Sequence, residues 1–164
     1  MAINLHQDDP ALFREAVEFT AAESGFGKLL IEKDYFLSVT LEYLAACRLG
    51  LVFKGGTCLA KVYTSFNRLS EDLDFSIPTP VNLSRKERSQ KASGLKTALK
   101  NLPKALPSFS ILEGLVGANQ SAQYNAVVGY ESIIDGHTER ISIEVGLREP
   151  VIEPVGSGPS KAAL

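Results

Sequence analysis

Residues 51 to 77 leave the chain few ways to fold. A short apolar run, Leu51-Val52-Phe53-Lys54, leads straight into Gly55 and Gly56. This reads as a buried strand and then a tight turn, because glycine permits backbone conformations and close approaches denied to other residues. Thr57 is expected to cap a short helix over residues 58 to 65. The chain then passes through Asn67 and Arg68 to a strand over residues 72 to 77, which Pro78 and Pro80 terminate because proline cannot donate to a ladder. The unit is strand, glycine turn, helix, strand.

The remaining elements build around it. Leu12, Phe13, Ala16, Val17 and residues 19 to 22 predict a helix over residues 9 to 24, capped by Asp8 or Asp9 with Pro10 in its first turn and broken by Gly25 and Gly27. A broad apolar stripe through Leu30, Ile31, Phe36, Leu37, Val39, Leu41, Tyr43 and Leu44 predicts a second helix over residues 28 to 48. A third, over residues 84 to 102, places Ala92, Leu95, Leu99 and Leu102 on one face. Three strands follow at about residues 110 to 115, 125 to 131 and 140 to 145, joined by the polar stretch 117 to 123 and by Asp135-Gly136, which suits a hairpin. The chain is therefore expected to be an α+β domain with a mixed sheet flanked by helices, occupying residues 1 to 150. Residues 151 to 164, rich in Pro, Gly and Ser, read as a flexible tail. With 164 residues, 45% of them hydrophobic, the chain suffices for one core.

Charge is unevenly spread. Residues 85 to 104 carry seven basic side chains against Glu87 alone, a net +6 in a chain whose overall charge is -2. A solvated helix face explains most such runs, and a phosphate backbone is the functional alternative. The N-terminus has acidic residues where a signal peptide needs a positive and then apolar run, and no stretch reaches the length of a membrane span, so a cytoplasmic location is expected. Cys47 and Cys58 form no metal-binding pair and are read as reduced thiols. A helix N-terminus could lower the Cys58 thiol pKa, but a small buried residue is the favoured reading. His6 and His137 lie far apart and read as surface residues.

The chemistry concentrates in residues 54 to 75. Alternation along a strand puts Asp72 and Asp74 on one side, about 6 to 7 Å apart at Cα. Two carboxylates that close repel, and a hard divalent cation, best Mg²⁺, relieves the repulsion. Gly55, Gly56 and Thr57 offer amide groups and a helix N-terminus to phosphate. That combination suits phosphoryl or nucleotidyl transfer, where positioning and charge neutralisation carry most of the catalysis. Glu144, in "RISIEVGLREP", is the candidate third carboxylate, as metal ligand or proton acceptor, and Lys54, Arg68, Ser70 and Arg148 are candidate phosphate contacts. Neither G-x-x-x-x-G-K-[ST] nor G-x-G-x-x-G occurs. On the residues alone a second reading stays open: an exposed strand face beside an ordinary turn.

The run "KGGTCLAKVY...RLSEDLDF", with "EKDYFLSVTLEYL" before it and "ISIEVGLREP" after it, resembles the AbiEii/AbiGii toxin family of the nucleotidyltransferase superfamily over residues 28 to 150. The resemblance implies a polymerase-beta-like fold in which Gly55, Gly56 and Thr57 hold phosphate and Asp72 and Asp74 bind metal. It also implies the toxin of a toxin-antitoxin pair, often serving abortive infection and phage defence, that moves a nucleotide from an NTP to an acceptor, characterised relatives including enzymes that modify the 3' end of tRNA. A cognate antitoxin is the implied partner, and the basic helix would meet RNA. Lys33 and Asp34 match the upstream motif, where they would support the site from the second helix. The family's helical C-terminal half has no counterpart before Leu164, so the alternative is a catalytically silent module that binds nucleotide or antitoxin. A D-x-D glycosyltransferase would need a longer chain.

Overall fold

The computed structural model describes residues 5–63, 69, 71–148, 156, 158 and 159. The expected tail, apart from Gly156, Gly158 and Pro159, lies outside the described residues, as do Arg68 and Ser70.

Three helices precede the first strand and a fourth follows it directly. A short α1 (Leu5–Asp8) runs into α2 (Pro10–Ser24), where Asp9 accepts from the Leu12 amide at 3.0 Å and Gly25 closes the helix at φ +76. Next come α3 (Lys28–Ala46), β1 (Val52–Lys54) and α4 (Gly55–Cys58), the last continuing as a π turn over Leu59–Tyr63. After β2 (Asp72–Pro78), α5 (Arg85–Ala105) starts from a capping box in which Ser84 and Glu87 satisfy each other's backbone amides. It runs through Pro103, a few residues beyond the expected end. The strands β3 (Phe109–Ala118), β4 (Gln123–Glu131) and β5 (Thr138–Arg148) complete the described chain.

The five strands form one mixed sheet in the order β1-β2-β5-β4-β3. β3, β4 and β5 form an antiparallel meander, whereas β2 lies parallel to β5. Both sheet neighbours of β2 are now defined: β1 on one side and β5 on the other.

One face of the sheet is apolar. Leu73, Phe75 and Ile77 of β2, Ile141, Ile143 and Val145 of β5, and Ala126, Val128 and Tyr130 of β4 pack with α2, α3 and α5 into a single core. Phe36 of α3 stacks on Tyr130 with centroids 3.9 Å apart and meets Phe109 at 5.6 Å. From α5, Ala92, Leu95, Ala98, Leu99 and Leu102 are buried, and the Tyr43 hydroxyl of α3 donates to the Ala98 carbonyl at 2.7 Å. The helices thus line one side of the sheet.

His6 corrects the expectation of a surface histidine. It is buried, with Nδ1 2.9 Å from the Tyr35 hydroxyl and Nε2 2.9 Å from Ser108 Oγ, and burial holds its pKa below the usual value against the opposing pull of Asp8. His137 is exposed as expected, 3.3 Å from Asp135 in the hairpin turn. That turn depends on a residue more than a hundred positions upstream. Glu32 of α3, fully buried, accepts from Ser132 Oγ at 2.6 Å, the Ile133 amide at 2.7 Å and the Ile134 amide at 3.3 Å.

Burial raises the Glu32 pKa above the ordinary glutamate value of 4.5, and the three donors only partly offset it. A raised folded-state value means that the folded protein binds the proton more tightly than the unfolded chain. The ionised carboxylate is therefore a cost above its folded pKa, relieved as pH falls toward 4.5. Urea denaturation of wild type and Glu32→Gln is expected to show their difference in unfolding free energy moving in favour of wild type as pH falls from 7, then levelling below about 4.5, the unperturbed range.

Candidate functional site

The second face of the sheet is polar because β2 and β5 alternate in phase. Along β2, Leu73, Phe75 and Ile77 go into the core, which turns Asp72, Asp74 and Ser76 to the opposite side. The register aligns Lys54 with Asp74, Asp74 with Glu144, and Glu144 with Asn125, so one row crosses β1, β2, β5 and β4. Strand spacing is about 4.8 Å, which makes the members of this row direct neighbours. Asp72 stands two positions along β2, opposite Ser142. The structure therefore brings Lys54, Asp72, Asp74 and Glu144 onto one face.

The carboxylates differ in surroundings. Asp72 and Glu144 are exposed and Asp74 is half-buried. Burial lifts the Asp74 pKa above the ordinary aspartate value; the Lys54 ammonium pulls it back, and the Glu144 and Asp72 charges push it further up. Glu144 accepts a hydrogen bond from Gln123 Nε2 at 2.6 Å, and Gln123 in turn accepts from Asn119 Nδ2 at 3.1 Å. Gln123 falls in the stretch read from sequence as a joining loop, yet it begins β4 opposite Gly146. Only the β4–β5 register could have revealed it.

The glycine turn meets this row at Asp74. Gly55 has φ +76, and a Cβ placed on it would lie 2.2 Å from Asp74 Oδ2 and 2.9 Å from Asp74 Cβ. Both the backbone conformation and the contact require glycine there. Lys54, in extended conformation, precedes the helix, which begins at Gly55 rather than at residue 58. Thr57 is consequently inside the helix and not its cap. Its side chain is buried and donates to the Asp72 carbonyl at 2.5 Å, tying the turn to the start of β2.

Cys58 is the small buried residue expected, and burial raises its thiol pKa rather than lowering it. Arg148 pairs with Pro78 at the end of β5, and its side chain lies outside the described residues. Lys33 and Asp34 are not on the carboxylate face. Lys33 bonds Glu71 at 2.8 Å, and Asp34 is buried in a 2.6 Å ion pair with Lys61, a residue the sequence reading left without a role. The basic side chains of α5 are not there either, because α5 packs on the apolar side of the sheet.

Oxygen donors of this kind suit a hard cation such as Mg²⁺, and the mutual repulsion of Asp72, Asp74 and Glu144 gives such an ion something to neutralise. Among the described residues, no three His, Cys, Asp or Glu side chains are gathered closely enough to hold a metal ion. The Asp74 carboxylate rests against Gly55, and that of Glu144 is bonded to Gln123.

The domain is thus a mixed sheet with helices on one face and, on the other, a glycine turn touching a row of carboxylates. The family model described as nucleotidyl transferase AbiEii toxin, type IV toxin-antitoxin system, matches residues 41–163, and the chain belongs to that family. Two solved structures from Helicobacter pylori are similar in fold: a protein assigned as a nucleotidyltransferase, and JHP933. Each is 18% identical with a TM-score of 0.41 over 88% of this chain. The chain spans about half of their length, 48% and 47% respectively. No curated protein matches the sequence. No helix among the described residues is long and apolar enough to cross a membrane.

Gly55→Ala is expected to cost about 3 kcal/mol in urea denaturation, from positive-φ strain plus displacement of Asp74. Gly25→Ala shares φ +76 but has nothing within 4 Å of the new methyl. It is expected to cost only about 1 kcal/mol, the left-handed penalty alone.

Proposed function

We propose that this protein is the toxin of a toxin-antitoxin pair and acts as an Mg²⁺-dependent nucleotidyltransferase, moving a nucleotide from an NTP to an acceptor. The observation that carries this reading is the row Lys54-Asp74-Glu144 with Asp72 beside it, set against the Gly55 turn in a chain of the AbiEii family. Asp72 and Asp74, two positions apart on one face of β2, are the residues that would hold the ion, with Glu144 beside Asp74 as the proton acceptor. A bound Mg²⁺ would supply charge neutralisation at the reacting phosphate.

The other roles belong to the chain itself. Gly55 and Gly56 let the triphosphate approach the backbone, with the Thr57 amide beside them and the Thr57 hydroxyl holding the turn against β2. Lys54 faces the same row and is positioned to pair with a phosphate oxygen or to temper the carboxylate charge. Gln123 orients Glu144, which is suited to receive the proton of the attacking hydroxyl. Arg68 and Ser70 complete the phosphate contacts in this reading. The proposed acceptor is RNA, with the 3' end of tRNA the first to try, and the setting is the cytoplasm, in abortive infection of phage-infected cells with a cognate antitoxin as partner.

Purified protein with Mg²⁺, α-labelled NTPs supplied one at a time, and total RNA is expected to give labelled RNA. Asp72→Asn and Asp74→Asn are each expected to lower transfer more than about a hundredfold, since even groups behind metal ligands are worth 10- to 100-fold. Equal labelling and equal growth inhibition by wild type and Asp72→Asn would remove the enzyme.

The basic face of α5 is proposed as a second RNA contact, remote from the carboxylates and acting on the backbone of a large acceptor. Replacing Lys91, Lys96 and Lys100 by Gln is expected to weaken RNA binding and to make its log-log salt dependence shallower by about 2 to 3. An unchanged slope would make this an ordinary solvated face.

A further inference from the structure

Three consecutive charged residues of α3, Glu32, Lys33 and Asp34, each reach a different connecting segment of the chain. Glu32 holds the β4–β5 turn through Ser132, Ile133 and Ile134. Lys33 holds Glu71, the residue before β2, at 2.8 Å. Asp34 holds Lys61, in the π turn that continues directly from the glycine-started helix. Residues 32 to 34 precede the span matched by the family model, which begins at residue 41.

The Asp34–Lys61 pair is the deepest of these contacts. The two side chains are 2% and 0% exposed, the Lys61 ammonium lies 2.6 Å from Asp34 Oδ1, and it also donates to the Asp34 carbonyl at 3.1 Å and to Ser38 Oγ at 2.8 Å. All three hydrogens of the ammonium thus have acceptors on consecutive turns of α3. Burial lowers the Lys61 pKa, and Asp34 pulls it back toward the charged form. A buried ion pair is poor evidence of stability, since apolar groups of similar volume often serve as well; its best-attested use is to specify one arrangement over others. Here the arrangement it specifies is where the helix begun by Gly55 and Gly56 sits relative to α3.

We propose that Asp34 and Lys61 are positioning residues that lock the Gly55-Gly56 turn in register with the Asp72 and Asp74 strand. The turn is otherwise held to β2 by Thr57 on the Asp72 carbonyl and by the Asp74 carboxylate resting on Gly55. Without the pair, its far end is free to shift along α3, and amide groups a helical turn away move with it. Lys33 on Glu71 fixes the other partner from the neighbouring residue of the same helix. α3 therefore acts as a common reference for the turn and for the approach to the acidic strand. The proposed consequence for nucleotide handling rests on the transferase reading above; the consequence for the turn does not.

The test compares wild type with the double substitution Asp34→Asn/Lys61→Met, which removes both charges together and strands neither. Amide order parameters at Gly55 and Gly56 are expected to fall from about 0.85 to below about 0.6, with a thermal midpoint close to that of wild type. NTP-dependent transfer is expected to lose about a hundredfold in kcat/KM, the scale of a 1 Å misplacement. A folded double variant with unchanged glycine order parameters overturns the proposal, whether or not wild type transfers nucleotide. If wild type moves no label but the glycine amides loosen as expected, the transferase reading fails and the positioning role stands. Should the double variant not fold, Ser38→Ala decides, because it removes only one acceptor: loosening at Gly55 and Gly56 supports the proposal, and unchanged order there overturns it.

Discussion

The parallel pairing of β2 with β5 is the contact on which the candidate site depends. It sets Asp74 beside Glu144 and Asp72 beside Ser142, although about seventy positions separate the partners in the chain. A slip of one residue would carry every side chain of one strand to the other face, placing acids in the core and apolar groups at the surface. The alternation of Leu73, Phe75 and Ile77 with Ile141, Ile143 and Val145 protects against that slip, since all six are needed in one hydrophobic layer. The acidic row is thus a by-product of core packing on the reverse side. Parallel neighbours need a long crossover, here supplied by α5, β3 and β4.

A second constraint comes from α3, which is buried nearly all round and yet carries Glu32, Asp34 and Thr40 among its buried residues. Charged groups in such a helix are costly unless each finds partners, and each does: Glu32 the amides of a distant turn, Asp34 the ammonium of Lys61. These contacts are directional where the surrounding apolar packing is not. They fix how the glycine turn, the acidic strand and the hairpin sit relative to one helix, and a site that acts by positioning needs that kind of rigidity.

Much of the frame was legible because local signals agreed. Asp9 and Pro10 marked the start of α2 and Gly25 its end, Ser84 with Glu87 marked the start of α5, and Asp135-Gly136 marked the last hairpin. The glycine pair and the two aspartates were legible as a site because their spacing and order are unusual together. Less legible was everything set by partners far along the chain. Thr57 read as a cap because its neighbours look like a helix start, but the helix begins at Gly55 and its hydroxyl goes to β2 instead. His6 read as exposed because no clustered partner lies near it in sequence, whereas Tyr35 and Ser108 enclose it. Gln123 read as a loop residue because nothing local marks it as the start of a strand facing Glu144.

By itself the sequence determined which residues could form helices, strands and turns, which faces had to be apolar, and which family the central motif resembles. Those properties follow from periodicity, backbone preference and residue order, all of them local. Tertiary structure alone decided that Asp74 rests on Gly55, that Glu144 stands beside Asp74, and that Lys61 is sealed against Asp34. Each of those contacts joins segments remote in sequence, and its geometry is set by strand register and helix packing, which no single stretch of chain encodes.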